Sequence, residues 1–119
     1  MGNIFAVAGA SSDTSKYWFK IYKDIKKAGM NVYCVNPRLD KAEGYTFYHS
    51  LKDLPEKADT LIIVIRPDLT TKLVEEAVRE GIKTIWFQPG TYDEEAVKIA
   101  RKNGIEVHDA CFMVQNGLW

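Results

Sequence analysis

Cysteine is scarce in this chain: Cys34 and Cys111 are the 2 among 119 residues. Two thiols are too few for a disulfide framework and fit no zinc-ligand spacing, so neither a covalent staple nor a structural metal is expected. An excess of charge of either sign is also missing. Lys plus Arg number 16, as do Asp plus Glu, for a formal net charge of zero. The balance removes the chain-wide basic field on which binding to nucleic acid or an anionic membrane depends, so any anion recognition must be local. No apolar run approaches the ~18–20 residues that span a bilayer, and no basic segment with a cleavage site precedes the first apolar stretch. A cytoplasmic protein is the expectation. The histidines His49 and His108 have no sequence neighbours at catalytic or metal spacing and read as structural.

What is present is an ordinary globular composition, 46% hydrophobic and 27% charged. A chain of this length buries roughly two-thirds of the surface its unfolded form exposes, enough for one domain over residues 1–119. The organising stretch is Asn3 to Ser12, NIFAVAGASS, an apolar run that stops at Gly9 and opens into small hydroxyl residues before a helical pattern. Strand, tight turn and helix N-terminus in succession make an anion site, because unpaired N–H groups and the positive end of the helix dipole converge there. Ser11, Ser12, Thr14 and Ser15 are candidates to cap the helix or to donate to phosphate oxygens. With one glycine where a dinucleotide fingerprint asks for three, an ordinary strand-to-helix turn explains the same residues.

Residues 16–28 carry Trp18, Ile21, Ile25 and Ala28 at helical spacing with lysines between them, and Gly29 ends the pattern before a strand over 31–35. The same order recurs twice, as helix 69–80, Gly81 and strand 83–87, then helix 94–103, Gly104 and strand 105–107. Thr91 with Glu94 has capping-box spacing, and Asp68 stands where an N-cap would. Residues 59–65 form a run without polar alternation, as a strand covered on both faces does. Between them, 45–48 reads as a short edge strand and 50–54 as one helical turn. Strands alternating with helices of this length imply βαβ units, hence an α/β fold with a doubly wound parallel sheet.

Ligands in such sheets bind outside the carboxyl ends of the strands, where strand order reverses. The segments that follow the strands are Gly9-Ala10-Ser11-Ser12, Asn36-Pro37-Arg38, Arg66-Pro67, Gln88-Pro89-Gly90 and Asp109-Ala110-Cys111. An NAD site would carry Asp or Glu at the end of the second strand, and here Arg38 stands nearby instead, suited to a phosphate on the ribose or else a solvated loop residue. Arg66 either reaches a ligand phosphate or folds over the sheet edge. Lys16 opposes the helix dipole unless an anion lies close, and Gln88 with Gly90 either faces a ligand or makes a turn. Tyr17, Trp18 and Phe19 read as packing, with a stacking platform the alternative.

The opening AVAGASSDTSK, the VNPR after the second strand, SLKDLPEKAD, IRP, GIKTIWFQPG and the terminal DAC together resemble the small CoA-binding-domain proteins, which are similar to the N-terminal domain of succinyl-CoA synthetase alpha subunits. The resemblance covers nearly the whole chain. It implies a Rossmann-like fold that binds coenzyme A, with the pyrophosphate at Gly9, Ala10, Ser11 and Ser12 and the ribose phosphate at Arg38. Ile65, Arg66 and Pro67 would lie alongside adenine or the phosphates, and Val35, Asn36 and Pro37 would shape the adenosine pocket. Two departures stand near the mouth: members commonly have Pro-Ser-Tyr near Tyr17 and Trp18, and Asp-Arg-Cys where this chain has Asp109-Ala110-Cys111. The synthetase's catalytic phosphohistidine belongs to a further domain, so ligase activity does not carry over.

The functional expectation is a non-catalytic module that binds CoA or a short acyl-CoA as a carrier, sensor or delivery unit, as a monomer or small homo-oligomer with a further protein partner left open. Two alternatives come from other classes. One is an NADP-dependent reductase, favoured by Arg38; the other is a redox thiol, with Cys111 forming a mixed disulfide with CoA.

Overall fold

The opening apolar run forms strand β1 (Ile4–Ala8) in the middle of a seven-stranded sheet. The computed structural model describes residues 4–42 and 44–119, so Asn3, where the sequence places the start of that strand, lies outside the described residues. After β1 come α1 (Tyr17–Lys27), β2 (Asn31–Val35), the two-residue β3 (Lys41–Ala42), β4 (Tyr45–Tyr48) and a 3-10 turn at Leu51–Asp53. The second half runs β5 (Thr60–Ile63), α2 (Pro67–Arg79), β6 (Thr84–Phe87), α3 (Glu94–Lys102), β7 (Glu106–Asp109) and α4 (Phe112–Gln115).

Strand order is β3-β4-β2-β1-β5-β6-β7, parallel throughout except for the antiparallel β3–β4 pair. The fold is therefore Rossmann-like α/β, as the alternation of elements implies. Order reverses between β1 and β5, and right-handed crossovers on either side of that seam send α1 to one face and α2 and α3 to the other. Side-chain alternation along β1 fits this. Phe5 and Val7 pack with Trp18, Ile21, Ile25 and Phe112, whereas Ala6 and Ala8 pack with Val74, Ala77, Ala96 and Ala100. Each large aliphatic side chain buried this way stabilises the fold by about 1.5–3 kcal/mol.

Helix starts differ from the sequence expectation in a consistent way. The cap of α3 is Asp93, whose carboxylate accepts from the Ala96 N–H, and Thr91 instead donates its hydroxyl to the Gln88 carbonyl at 2.7 Å. A carboxylate three residues before a free N–H competes better than a hydroxyl set further back. Helix α2 begins at Pro67 with Arg66 in the cap position, which leaves Asp68 inside the first turn, where its charge suits the dipole. Lys16 occupies the cap position of α1 without a side-chain cap bond. None of the four nearby hydroxyl residues caps that helix: Ser11 accepts from the Asp13 N–H and Ser15 donates to Asp13, folding the loop on itself.

Two elements, β3 and α4, are absent from the sequence reading. One connection matters for the site. Between β4 and β5 the chain makes only the 3-10 turn, where most parallel crossovers carry a full helix. The α2 face of the sheet is thus left open beside β1 and β2.

Candidate binding site at the strand reversal

Three turns meet at the carboxyl edge of the sheet. Gly9 has φ of 115°, and a Cβ on it would stand 2.6 Å from the Val64 carbonyl oxygen. The turn after β1 therefore lies directly on the chain leaving β5, and the Val64 N–H donates to the Ala8 carbonyl at 2.8 Å. Asn36 ties in the third turn. Its Nδ2 donates to the Ala10 carbonyl at 2.8 Å, while its Oδ1 accepts from the Arg38 and Leu39 N–H groups at 2.8 and 3.2 Å.

Gly9 is shared by two clefts, one on each face of the sheet. On the α2 face a cleft of about 350 Å³ has a floor of Ala8, Val35, Pro37 and Ile65, a wall of Leu69 and Leu73, and His49, Lys72, Glu76 and Arg79 as its polar lining. Glu76 Oε1 accepts from the Leu51 N–H at 2.7 Å, and His49 Nε2 lies 2.8 Å from Asp40 Oδ1. On the α1 face a cleft of about 270 Å³ is lined by Gly9, Ser11, Lys16, Tyr17, Trp18 and Val64. A further recess of about 230 Å³, between the 3-10 turn and Ile82, opens toward the amino ends of β5 and β6, away from the glycine turn.

The sequence candidates divide among these places. Val35, Pro37 and Ile65 line the α2-face cleft, Ser11 and Lys16 the α1-face cleft, and Gly9 both. Ala10 is buried at 1% exposure, and Ser12 is exposed beside it. Asn36 has its side chain committed to the turns. Arg38 is exposed, and among the described residues no carboxylate lies within ion-pair distance of it, whereas Arg66 has its Nε 3.4 Å from Asp68. Pro67 starts α2. Gln88 and Gly90 are not brought into either cleft: Gly90 is exposed in the turn before α3, and Gln88 is fully buried.

Residues of α2 and His49 are the additions the structure makes. Leu69, Lys72, Leu73, Glu76 and Arg79 recur at helical spacing, so their common face was readable; that the face looks onto a cleft depends on the short β4–β5 crossover.

Cys111 sits in a polar cluster behind the α1-face cleft. Gln88 Nε2 lies 3.1 Å from the Tyr17 hydroxyl and 3.3 Å from Cys111 Sγ, the hydroxyl is 3.3 Å from Sγ, and Gln88 Oε1 accepts from the Phe112 N–H at 2.8 Å. Partial burial pushes the Cys111 thiol up, but hydrogen bonds to the thiolate from Tyr17, the Val114 N–H, Gln88 and the Met113 N–H outweigh it, leaving the group below the ordinary thiol range. Burial, then the bond to Cys111, pushes the Tyr17 phenol up to about 12, so it stays a donor. Cys34, buried in β2, is pushed up to about 12 by desolvation.

Comparison with known proteins gives this arrangement a context. The CoA binding domain family model matches residues 3–117. The alpha subunit of an ADP-forming acetate–CoA ligase from Pyrococcus furiosus is 30% identical over 113 residues, covering 86% of this chain and 25% of the subunit. The chain thus spans about a quarter of that relative's length. Among solved structures, a conserved hypothetical protein from Pyrococcus furiosus is 37% identical with a TM-score of 0.84, over 95% of this chain and 98% of its own. A hypothetical protein from Pyrococcus horikoshii is 32% identical with a TM-score of 0.91, over 98% and 82%.

Proposed function

Because the chain belongs to the CoA-binding domain family, we propose that it binds coenzyme A or a short acyl-CoA across the β1–β5 seam, as a non-catalytic carrier, sensor or delivery module. The observation that carries this reading is the pair of clefts meeting at Gly9. A ligand with a flat apolar base at one end, a pyrophosphate in the middle and a thin flexible arm at the other matches an apolar slot, a backbone turn and a second cleft in that order. Adenosine takes the α2-face cleft on Val35, Pro37 and Ile65. The pyrophosphate crosses Gly9 to Ser12, where Lys16, which lines the same cleft as Gly9 and Ser11, favours an anion. The pantetheine arm enters the α1-face cleft toward Tyr17. Arg38, exposed after Pro37, supplies charge to the ribose phosphate, and its planar fork suits that group.

Calorimetric titration of the protein with CoA, dephospho-CoA, NAD and NADP, beside Arg38→Ala, tests the reading. The expected result is binding of CoA in preference to both nicotinamide nucleotides, with Arg38→Ala weakened about tenfold for CoA. Binding of NADP alone would make the site a reductase site; binding of none of the four refutes a nucleotide site.

The Cys111 cluster favours a second reading, in which the thiolate attacks a disulfide of CoA. The new bond joins Sγ to one CoA sulfur, the old sulfur–sulfur bond breaks, and the other CoA leaves as a thiolate that takes up a proton. Intact mass after incubation with CoA disulfide checks it. A single reducible adduct on Cys111 supports this chemistry, and an unmodified chain removes it.

A further inference from the structure

Helix α2 lines its cleft with a mixed stripe, and charge along it is unevenly satisfied. Glu76 stands four residues after Lys72 and three before Arg79, both spacings that favour ion pairs on a helix. It pairs with neither. Its Oε1 takes the Leu51 N–H at the start of the 3-10 turn, and among the described residues no carboxylate lies within ion-pair distance of Lys72 or Arg79. Lys72 and Arg79, without an ion pair among the described residues although Asp68, Glu75 and Glu76 share their helix, therefore border a slot whose floor and wall are apolar. A flat base fills such a slot, and an anion attached to it completes the charge.

Position along the helix separates the two cations. At a rise of about 1.5 Å per residue, Lys72 lies about 7.5 Å from the Pro67 end of α2, whereas Arg79 lies about 18 Å away, toward the other edge of the sheet. A ribose whose pyrophosphate rests on the Gly9 turn stays near the Pro67 end.

We propose that Lys72 is a ligand of the phosphate on the ribose 3′ position, so that α2 selects the 3′-phosphorylated nucleotide over its dephosphorylated form. The inference rests on the coenzyme A reading. The pyrophosphate is placed at the glycine turn, and the 3′-phosphate is the anion left on the α2 side. Lys72 closes on it from the helix while Arg38 approaches from the loop after β2.

Titration of wild type, Lys72→Ala and Lys72→Arg with CoA and with dephospho-CoA tests the assignment, with melting curves to verify folding; Lys72 is exposed, and its removal should leave the midpoint in place. Expected are a wild-type preference for CoA, a loss of about tenfold in CoA affinity in Lys72→Ala with dephospho-CoA affinity held within about twofold, and recovery in Lys72→Arg. An unchanged CoA affinity in Lys72→Ala, or an equal loss for both ligands, overturns the role of Lys72 and leaves the coenzyme A reading standing. Equal wild-type affinity for the two ligands does the same. Failure of wild type to bind CoA at all overturns both.

Discussion

At Gly9 the backbone and the packing make separate demands. Its φ of 115° is one that side chains rarely adopt, and any Cβ there would collide with the carbonyl of Val64, a backbone atom that cannot swing away. Gly90 has φ of 90° with nothing near a Cβ, so it carries the first demand without the second. Gly9→Ala should therefore cost roughly 3 kcal/mol of stability against roughly 1 kcal/mol for Gly90→Ala, measured by denaturant unfolding. Equal costs would mean that the close approach to Val64 is unimportant. Asn36 works through its side chain instead. Asn36→Asp keeps the acceptor for Arg38 and Leu39 but sets a carboxylate oxygen against the Ala10 carbonyl, and a loss of about 1–3 kcal/mol is expected in the same assay. The thiols give a pH-dependent readout. The Cys111 group lies below the ordinary thiol range when folded, so its ionisation favours the folded state. That contribution is full above the unfolded pKa and is lost as pH falls through the folded one. Alkylation followed by mass spectrometry across pH should show Cys111 reaching half its maximal rate below a free thiol's pH, with Cys34 silent in the native state.

Helix α4 has only the four residues Phe112–Gln115, too short to hold itself in water, so its position comes from what it touches. Gln88 reaches from the end of β6 to the Phe112 N–H, and Trp119 donates its indole N–H to Asp24 at 2.7 Å with Lys20 over its ring. Gln88→Leu keeps the volume but strands the Phe112 N–H. Hydrogen exchange should then speed up over residues 112–118 and stay slow in β1 and β5; a uniform increase would mean that Gln88 supports the whole fold. Elements of this kind are where sequence reading ran out. The helix-glycine-strand units were legible because apolar period and glycine caps are local, and β5 because burial on both faces leaves an unbroken apolar run. Alternation of elements placed five strand-end segments on one edge; that those after β1, β2 and β5 meet around Gly9 while Gln88 and Gly90 stay outside both clefts depends on the strand order. Neither α4 nor β3 has such a signature, since each depends on a distant partner. The same holds for the α2 wall of the cleft: Leu69 and Lys72 shared a visible helix face, but what that face looks onto is decided by the missing crossover helix between β4 and β5.

Across the whole molecule, positive and negative side chains cancel, so net charge draws in no polyanion, and the proposed coenzyme A site depends on cations near the ligand's own charges. Lys16 beside the glycine turn, Arg38 after Pro37 and Lys72 on α2 are spread around the seam, and under the proposed coenzyme A reading each phosphate should meet its own short-range partner. Short contacts are screened less than a diffuse field, whose reach is about 10 Å at 0.1 M salt and about 3 Å at 1 M. Coenzyme A affinity should then fall by only about tenfold or less between 0.05 and 0.5 M salt, and dephospho-CoA, with one phosphate fewer, should fall less still. Titration of both ligands at the two ionic strengths measures the difference directly. A fall of a thousandfold, as a basic surface would give, would show that the net charge conceals a strong field at the carboxyl edge. An identical slope for the two ligands would mean that the 3′-phosphate makes no ionic contact with the protein. The expected pair of slopes, shallow and unequal, is what a neutral chain with locally placed cations must produce.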